Sequence, residues 1–216
     1  MPTPKYCALT FDDGPSNVTP FVLDLLKYYN CTASFFVIGD RIKTDEQKEI
    51  MKRAIAQGCT IENHSFTHSR LVDMSDEEIK NEFEATQQII YDIVGEYPKF
   101  FRAPGLNDKG RLHDVIPLPF AGGSGGSADW NSRPEDEATS GIMERINGIL
   151  NVACNGHIIL LHDCGNNYLT PAALSCALPK LIAEGYEFVN IRKLFEIKGI
   201  DPKSMTGGQW KDVVKA

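Results

Sequence analysis

Short apolar runs alternate with longer amphipathic segments along most of the chain. The runs at 5–11, 33–38, 59–63, 99–103, 117–121, 156–162 and 186–191 predict strands. The segments at 18–29, 45–57, 75–94, 137–151 and 170–184 predict helices. One helix opens on a capping-box signature, Ser75-Asp76-Glu77-Glu78, and Ile79, Phe83, Thr86 and Ile90 follow at helical spacing. Thr170-Pro171 reads as an N-cap with proline in the first turn, and Pro179 should kink the helix it sits in. Strands alternating with helices imply an α/β protein built on a largely parallel sheet.

Two segments break the alternation. Residues 122–127, Gly-Gly-Ser-Gly-Gly-Ser, have linker composition. Their flanks continue the pattern, so a flexible loop is expected there rather than a domain boundary. The stretch 201–216 lacks periodicity until Trp210 and reads as a C-terminal extension packing on the domain, or as a linker. The expected organisation is one catalytic domain over 1–200 followed by that extension.

The 216 residues suffice for a full core, and 42% hydrophobic with 24% charged residues is ordinary for a globular protein. The net charge of −7 changes the picture more. It leaves no basic stripe for phosphates, which argues against a nucleic-acid partner, and it disfavours an anionic membrane surface. No apolar run is long enough to span a bilayer, and no signal peptide is read ahead of the first strand. The six cysteines form no Cys-x-x-Cys pair. Cys7 and Cys59 lie inside apolar strands as small buried hydrophobes, and free thiols are expected because a core of this size needs no staples.

The candidate chemistry sits at the ends of predicted strands. Asp12 and Asp13 end the first run, before the turn-forming Gly14 and Pro15. Two adjacent carboxylates repel if both are buried, unless one binds a cation and the other stays free to take a proton. A plain surface turn is the bland alternative. His64 and His68 stand four apart after another strand, so one helical turn or a tight loop aims both rings at one point. With a carboxylate from another strand end they make a metal set of two histidines and one carboxylate with open coordination positions. His162 ends a further apolar run. Parallel strands deliver such residues to one face of a barrel or sheet.

The ordered motifs Thr10-Phe11-Asp12-Asp13-Gly14-Pro15, His64-Ser65-Phe66-Thr67-His68, Arg102-Ala103-Pro104-Gly105, Asp129-Trp130 and Leu160-Leu161-His162-Asp163 resemble the polysaccharide deacetylase family. This is the group with a NodB homology domain, carbohydrate esterase family 4. The resemblance covers roughly residues 5 to 197. In Leu118-Pro119-Phe120-Ala121-Gly122-Gly123 the chain is most similar to the clostridial acetylxylan esterase branch. The resemblance implies a distorted (β/α) barrel with about seven parallel strands.

It also implies roles. Asp13, His64 and His68 would hold one divalent metal ion, with zinc, cobalt and nickel the leading candidates. Asp12 would be the base, oriented by Arg102, and His162 the general acid, tuned by Asp129. The Gly105 backbone N–H would hold the oxyanion beside Pro104. Read from its neighbours, Trp130 is either a core aromatic or, as its place beside a charged residue after the glycine-rich loop favours, a sugar-stacking wall, and Leu160 should line the acetyl pocket. Asp163 would be a strand-end hydrogen-bonding residue, and His113 and His157 structural or exposed. The third motif commonly ends in tyrosine where this chain has Gly105, so one wall of the sugar site is missing.

The implied function is metal-dependent deacetylation of an acetylated glycan by a monomeric hydrolase acting outside the cell or at its surface. Acetylxylan O-deacetylation is favoured over N-deacetylation of chitooligosaccharide or peptidoglycan. A non-catalytic carbohydrate-binding module and a metal-free relative acting on cyclic amides are the competing classes. The complete set Asp12, Asp13, His64, His68 and His162 argues against both.

Overall fold

The computed structural model describes residues 3–108, 110–124, 129–130, 138–205 and 210–213, with 138–140 as backbone only. Five parallel strands form its sheet: β1 (Lys5–Asp12), β2 (Ala33–Val37), β3 (Thr60–Asn63), β4 (Ile158–His162) and β5 (Tyr186–Val189). Pairing runs β3-β2-β1-β4, with β5 against the first half of β1. The expected strands 99–103 and 117–121 contribute isolated bridges rather than full strands. Phe101 bridges Asn63 and Phe120, and Ser124 bridges Ile159 of β4. These bridges carry the ladder from β3 round to β4, so five strands and two bridging segments make the distorted α/β barrel.

The linker-like stretch thus begins as part of the barrel wall. Gly122 N–H donates to the Trp210 carbonyl, and Ser124 N–H donates to that of Ile158. Glycine at 123 is needed for close approach, because a Cβ there would run into the Leu160 side chain. Residues 125–127 of that stretch lie outside the described residues. In the tail, Trp210 bridges Ala121 and Val213 is fully buried.

Seven helices are described: α1 (Thr19–Tyr28), α2 (Asp45–Ala56), α3 (Asp76–Val94), the short α4 (Leu112–Val115), α5 (Ala138–Val152), α6 (Leu169–Ala183) and α7 (Ile191–Lys198). The Ser75–Glu78 capping box forms as expected, and Thr44 and Gln47 make a second one on α2. The last expected strand stops at Val189, and α7 takes over. Asn190 caps α7 by accepting the Lys193 N–H, and Gly199 at φ 63 ends it.

Thr170 is not the N-cap of α6. That position is Tyr168, and the Thr170 hydroxyl instead donates to Asp129. The helix runs through Pro179. Proline removes the donor for the Ser175 carbonyl, which accepts the Tyr29 hydroxyl at 3.5 Å instead.

Strand periodicity divides the two faces of the wall. Leu9, Phe11, Phe35, Val37 and Leu161 pack outward against α1 and α6, with Phe11 and Phe35 stacked at 5.3 Å. On the other face, Ala8, Phe36 and Ile158 join Leu194, Phe195 and Val213. Strands buried on both faces need no polar alternation, which is why β1 and β2 read as continuous apolar runs. All six cysteines are free thiols, and burial pushes those of Cys7, Cys31 and Cys59 up to about 11.

Candidate active site

Register brings the reactive groups together. Asp12 is paired with His162 across β1 and β4. Val37 is paired with Asn63, and Asn63 with Phe101, so His64 and Arg102 leave the wall side by side. All of these lie at the C-terminal ends of parallel strands, where ligands bind in such sheets.

The first group is Asp13, His64 and His68, whose donor atoms all lie within 4.8 Å of one another. Asp13 Oδ1 is 3.6 Å from His64 Nε2 and 3.3 Å from His68 Nε2. This oxygen is buried yet has no hydrogen-bond partner among the described residues. A buried orphan oxygen facing two imidazole nitrogens costs free energy unless something positive completes it. The ring of His64 is oriented for ligation, because its Nδ1 lies 2.7 Å from the Arg102 carbonyl and leaves Nε2 for the cluster. Burial holds the His64 pKa down, which keeps the imidazole neutral.

The backbone here is unusual. Asp13, Ser65 and His68 adopt φ of 73, 65 and 62, in the left-handed region that costs a non-glycine residue about 1–2 kcal/mol. Hydrogen bonds hold them there. Ser65 N–H donates to Asn63 Oδ1, and His68 N–H donates to Ser65 Oγ. Glu82 of α3 accepts from Phe66 N–H, Thr67 N–H and the Thr67 hydroxyl, all within 2.9 Å.

The second group surrounds Asp12. Its Oδ1 accepts from Arg102 Nη1 at 2.5 Å, and Oδ2 is 3.8 Å from His64 Nε2. Arg102 is fully buried, donates to the carbonyls of Ala121 and Gly122, and lies 4.1 Å over the Phe36 ring. Burial alone would raise the Asp12 pKa. The charges of Arg102, His64 and His162 outweigh it and hold the carboxyl below its usual range.

The third group is His162 with Asp129. Nδ1 of the ring is 2.8 Å from Asp129 Oδ1, and the His162 N–H donates to Oδ2 at 2.6 Å. Thr170 also donates to Oδ2, while Arg145 and Asn167 donate to the Asp129 carbonyl. Burial pulls the His162 pKa down. The Asp129 hydrogen bond and charge, with Asp12 and Asp13, override it and lift the value to about 9.

The remaining candidates differ in exposure. Trp130 is 67% exposed, Leu160 is partly buried and Pro104 is buried. Gly105 is exposed at φ +61, with open space where a side chain would point. Asp163 is buried beside this site. It accepts from the Thr19 hydroxyl, its backbone N–H donates to the Asp12 carbonyl, and burial lifts its pKa to about 7. His113 pairs with Asp108, and His157 Nδ1 bonds the Val152 carbonyl, both away from the cluster. Sequence reasoning missed Glu82, Asn167, Arg145 and the Thr170 hydroxyl. Glu82 left a signal: it is a carboxylate on the apolar stripe that runs through Ile79, Phe83 and Thr86.

Known proteins are similar to this chain over most of its length. A bifunctional xylanase/deacetylase of Pseudobutyrivibrio xylanivorans is 38% identical over 92% of this chain. The chain spans about a third of that protein, 32% of its length. A peptidoglycan-N-acetylglucosamine deacetylase of Bacillus cereus is 36% identical, with 90% of both chains covered. Among solved structures, the family 4 acetyl xylan esterase of Clostridium thermocellum, in complex with a cobalt ion, superposes with a TM-score of 0.87. It is 37% identical and covers 97% of this chain and 99% of the other. The profile described as polysaccharide deacetylase matches residues 1–116, more than half of the sequence, and the chain belongs to that family of hydrolases.

Proposed function

We propose that this chain removes acetyl groups from an acetylated polysaccharide, with acetylxylan as its preferred substrate and one divalent metal ion as its cofactor. The observation that carries the reading is the orphaned Asp13 Oδ1 facing His64 and His68, between a base paired with arginine and a protonated histidine. Asp13, His64 and His68 would hold the ion, and zinc, cobalt and nickel all suit two imidazoles and a carboxylate. When bound, it supplies Lewis acidity toward the acetyl carbonyl and acidity to a water.

The chain's own groups do the rest. Asp12, anionic and fixed by Arg102, takes the proton of the attacking water as its oxygen bonds to the acetyl carbon. The Gly105 N–H, next to Pro104, donates to the developing oxyanion. His162 carries a proton at neutral pH because its pKa stands near 9. It gives that proton from Nε2 to the leaving sugar oxygen as the C–O bond breaks, releasing acetate. Asp129 orients the ring. Leu160 lines the methyl pocket, and Trp130 offers a flat face to a sugar ring.

The ester preference rests on Gly105, which leaves one wall open. An open groove supplies less binding energy to orient an amide, whose leaving group is harder to expel. Similarity to both xylan-linked and peptidoglycan-linked relatives makes the substrate the point to test. Neither a nucleic acid nor a membrane is an expected partner. Among the described residues no helix is long and apolar enough to cross a bilayer. The chain is read as a monomer working on extracellular or cell-surface glycan. Acetate release should be measured side by side on acetylxylan, chitin oligomers and peptidoglycan after metal reconstitution. The highest kcat/KM is expected on acetylxylan. A higher value on N-acetylglucosamine oligomers would overturn the ester preference and make the chain an N-deacetylase.

A further inference from the structure

Half-exposed aromatic rings gather at the same end of the barrel as the site. Phe21 lies in the first turn of α1, which follows β1, and Tyr168 caps α6, which follows β4. They are 52% and 45% exposed, and their rings meet edge to face at 5.7 Å. Tyr28, also exposed, sits at the opposite end of α1. Nothing in the roles assigned above uses Phe21 or Tyr168.

Both rings connect to the reactive groups. A cavity of about 690 Å³ opens at Asp13 and runs past Ser16, Asn17 and Arg41 to Cys164. A second of about 410 Å³ is lined by Phe21, Leu25, Tyr168 and Pro171. Asn17 joins them, since its Nδ2 donates to the Tyr168 hydroxyl at 2.6 Å. Asn17 lies four positions after Asp13 along the chain, a reach of at most about 14 Å. On the other side, Tyr168 stands between Asn167 and Thr170, which both donate to the Asp129 that holds His162.

The geometry points to a distal sugar subsite: Phe21 and Tyr168 form a platform for neighbouring units of the glycan whose acetyl group lies at Asp13. This rests on the deacetylase reading of the site and extends it to the path of the polymer. The chemistry selects a glycan. Asn17 and Arg41 offer hydrogen-bonding groups to sugar hydroxyls, and the aromatic pair then offers apolar surface to a C–H face. The cavity also carries both signs of charge, with Lys43 paired to Asp40 at 3.2 Å, which suits a neutral chain rather than an anionic one.

The test compares kcat/KM on the acetylated polymer that the wild type cleaves best with kcat/KM on a small aryl acetate, which cannot reach the platform. Phe21→Ala and Tyr168→Ala should lower the polymer-to-aryl ratio roughly three- to tenfold, mainly through KM on the polymer. Tyr168→Phe keeps the ring and loses only the hydroxyl bond to Asn17, so its ratio should stay near that of the wild type. An unchanged ratio in both alanine variants overturns the platform. So does a Tyr168→Phe ratio that falls as far as that of Tyr168→Ala, because the loop tie would then be the cause. A wild type that releases acetate from neither substrate sinks the deacetylase reading itself, and the platform with it.

Discussion

On the metal side of the site, three residues are held by their own backbone. Asp13, Ser65 and His68 sit in left-handed conformations within two short loops, and the bonds that keep them there come mostly from close neighbours such as Asn63 and Ser65. On the acid side, His162 stands at the end of an ordinary strand and depends on Asp129, which gathers donors from β4, α5 and the start of α6. One half is local and strained, the other long-range and unstrained. Damage to the first should appear in metal affinity, and damage to the second in the pH dependence of turnover.

The largest expected effect lies between the two halves. Asp12→Asn should lower kcat by about 10²–10⁴ while bound metal, measured by elemental analysis, stays at wild-type level. Loss of the ion would make Asp12 a ligand and reverse the roles of the aspartate pair.

Asp129→Asn sharpens the acid side. In the wild type, activity should fall as pH rises through about 9, where His162 loses its proton. Removing the Asp129 charge leaves burial as the leading influence on His162. The alkaline limb should then move to lower pH, with a roughly hundredfold loss of kcat at neutral pH. A pH–rate profile reads both, and an unmoved alkaline limb would remove His162 as the titrating acid.

Glu82→Ala probes the metal side at a smaller scale. Alanine has no oxygen to accept the N–H bonds of Phe66 and Thr67, so the histidine loop should loosen. Metal affinity should fall roughly 10- to 100-fold by calorimetry, and kcat at saturating metal should change far less. An unchanged affinity would mean that the loop holds its shape without α3. Gly105→Tyr should have the smallest effect on the fold, since the space is open and only the φ of +61 opposes a side chain, at about 1–2 kcal/mol. Restoring that wall should raise activity on N-acetylated oligomers relative to acetylxylan, measured as a ratio of kcat/KM.

How far the sequence disclosed this depends on how local each feature is. Asp12-Asp13 and His64 with His68 lie within contiguous motifs, so spacing paired the two histidines, and the ends of parallel strands brought the aspartates to the same face. Arg102 and Asp129 were legible through the resemblance, whose motifs preserve their order. The Thr170 hydroxyl was misassigned to a cap, because a serine or threonine before proline signals a helix start unless a distant carboxylate competes for it. Phe101 and Phe120 read as full strands from apolar composition, yet each makes only isolated bridges where the barrel closes. Helix α7 was not predicted: the strand reading ran to 191 and no element was read beyond it, although Asn190 and Gly199 bracket the helix, because its apolar positions follow directly on those of β5. The glycine-rich stretch looked like a loop because composition cannot show that Gly123 must yield space to Leu160.

The most direct test of the account is a calorimetric titration with zinc or cobalt, after chelator treatment, of the wild type, Asp12→Asn, Asp13→Ala and His64→Ala. The account predicts one ion bound by the wild type and by Asp12→Asn, and none by the other two. Retention of wild-type affinity in Asp13→Ala or His64→Ala would contradict it.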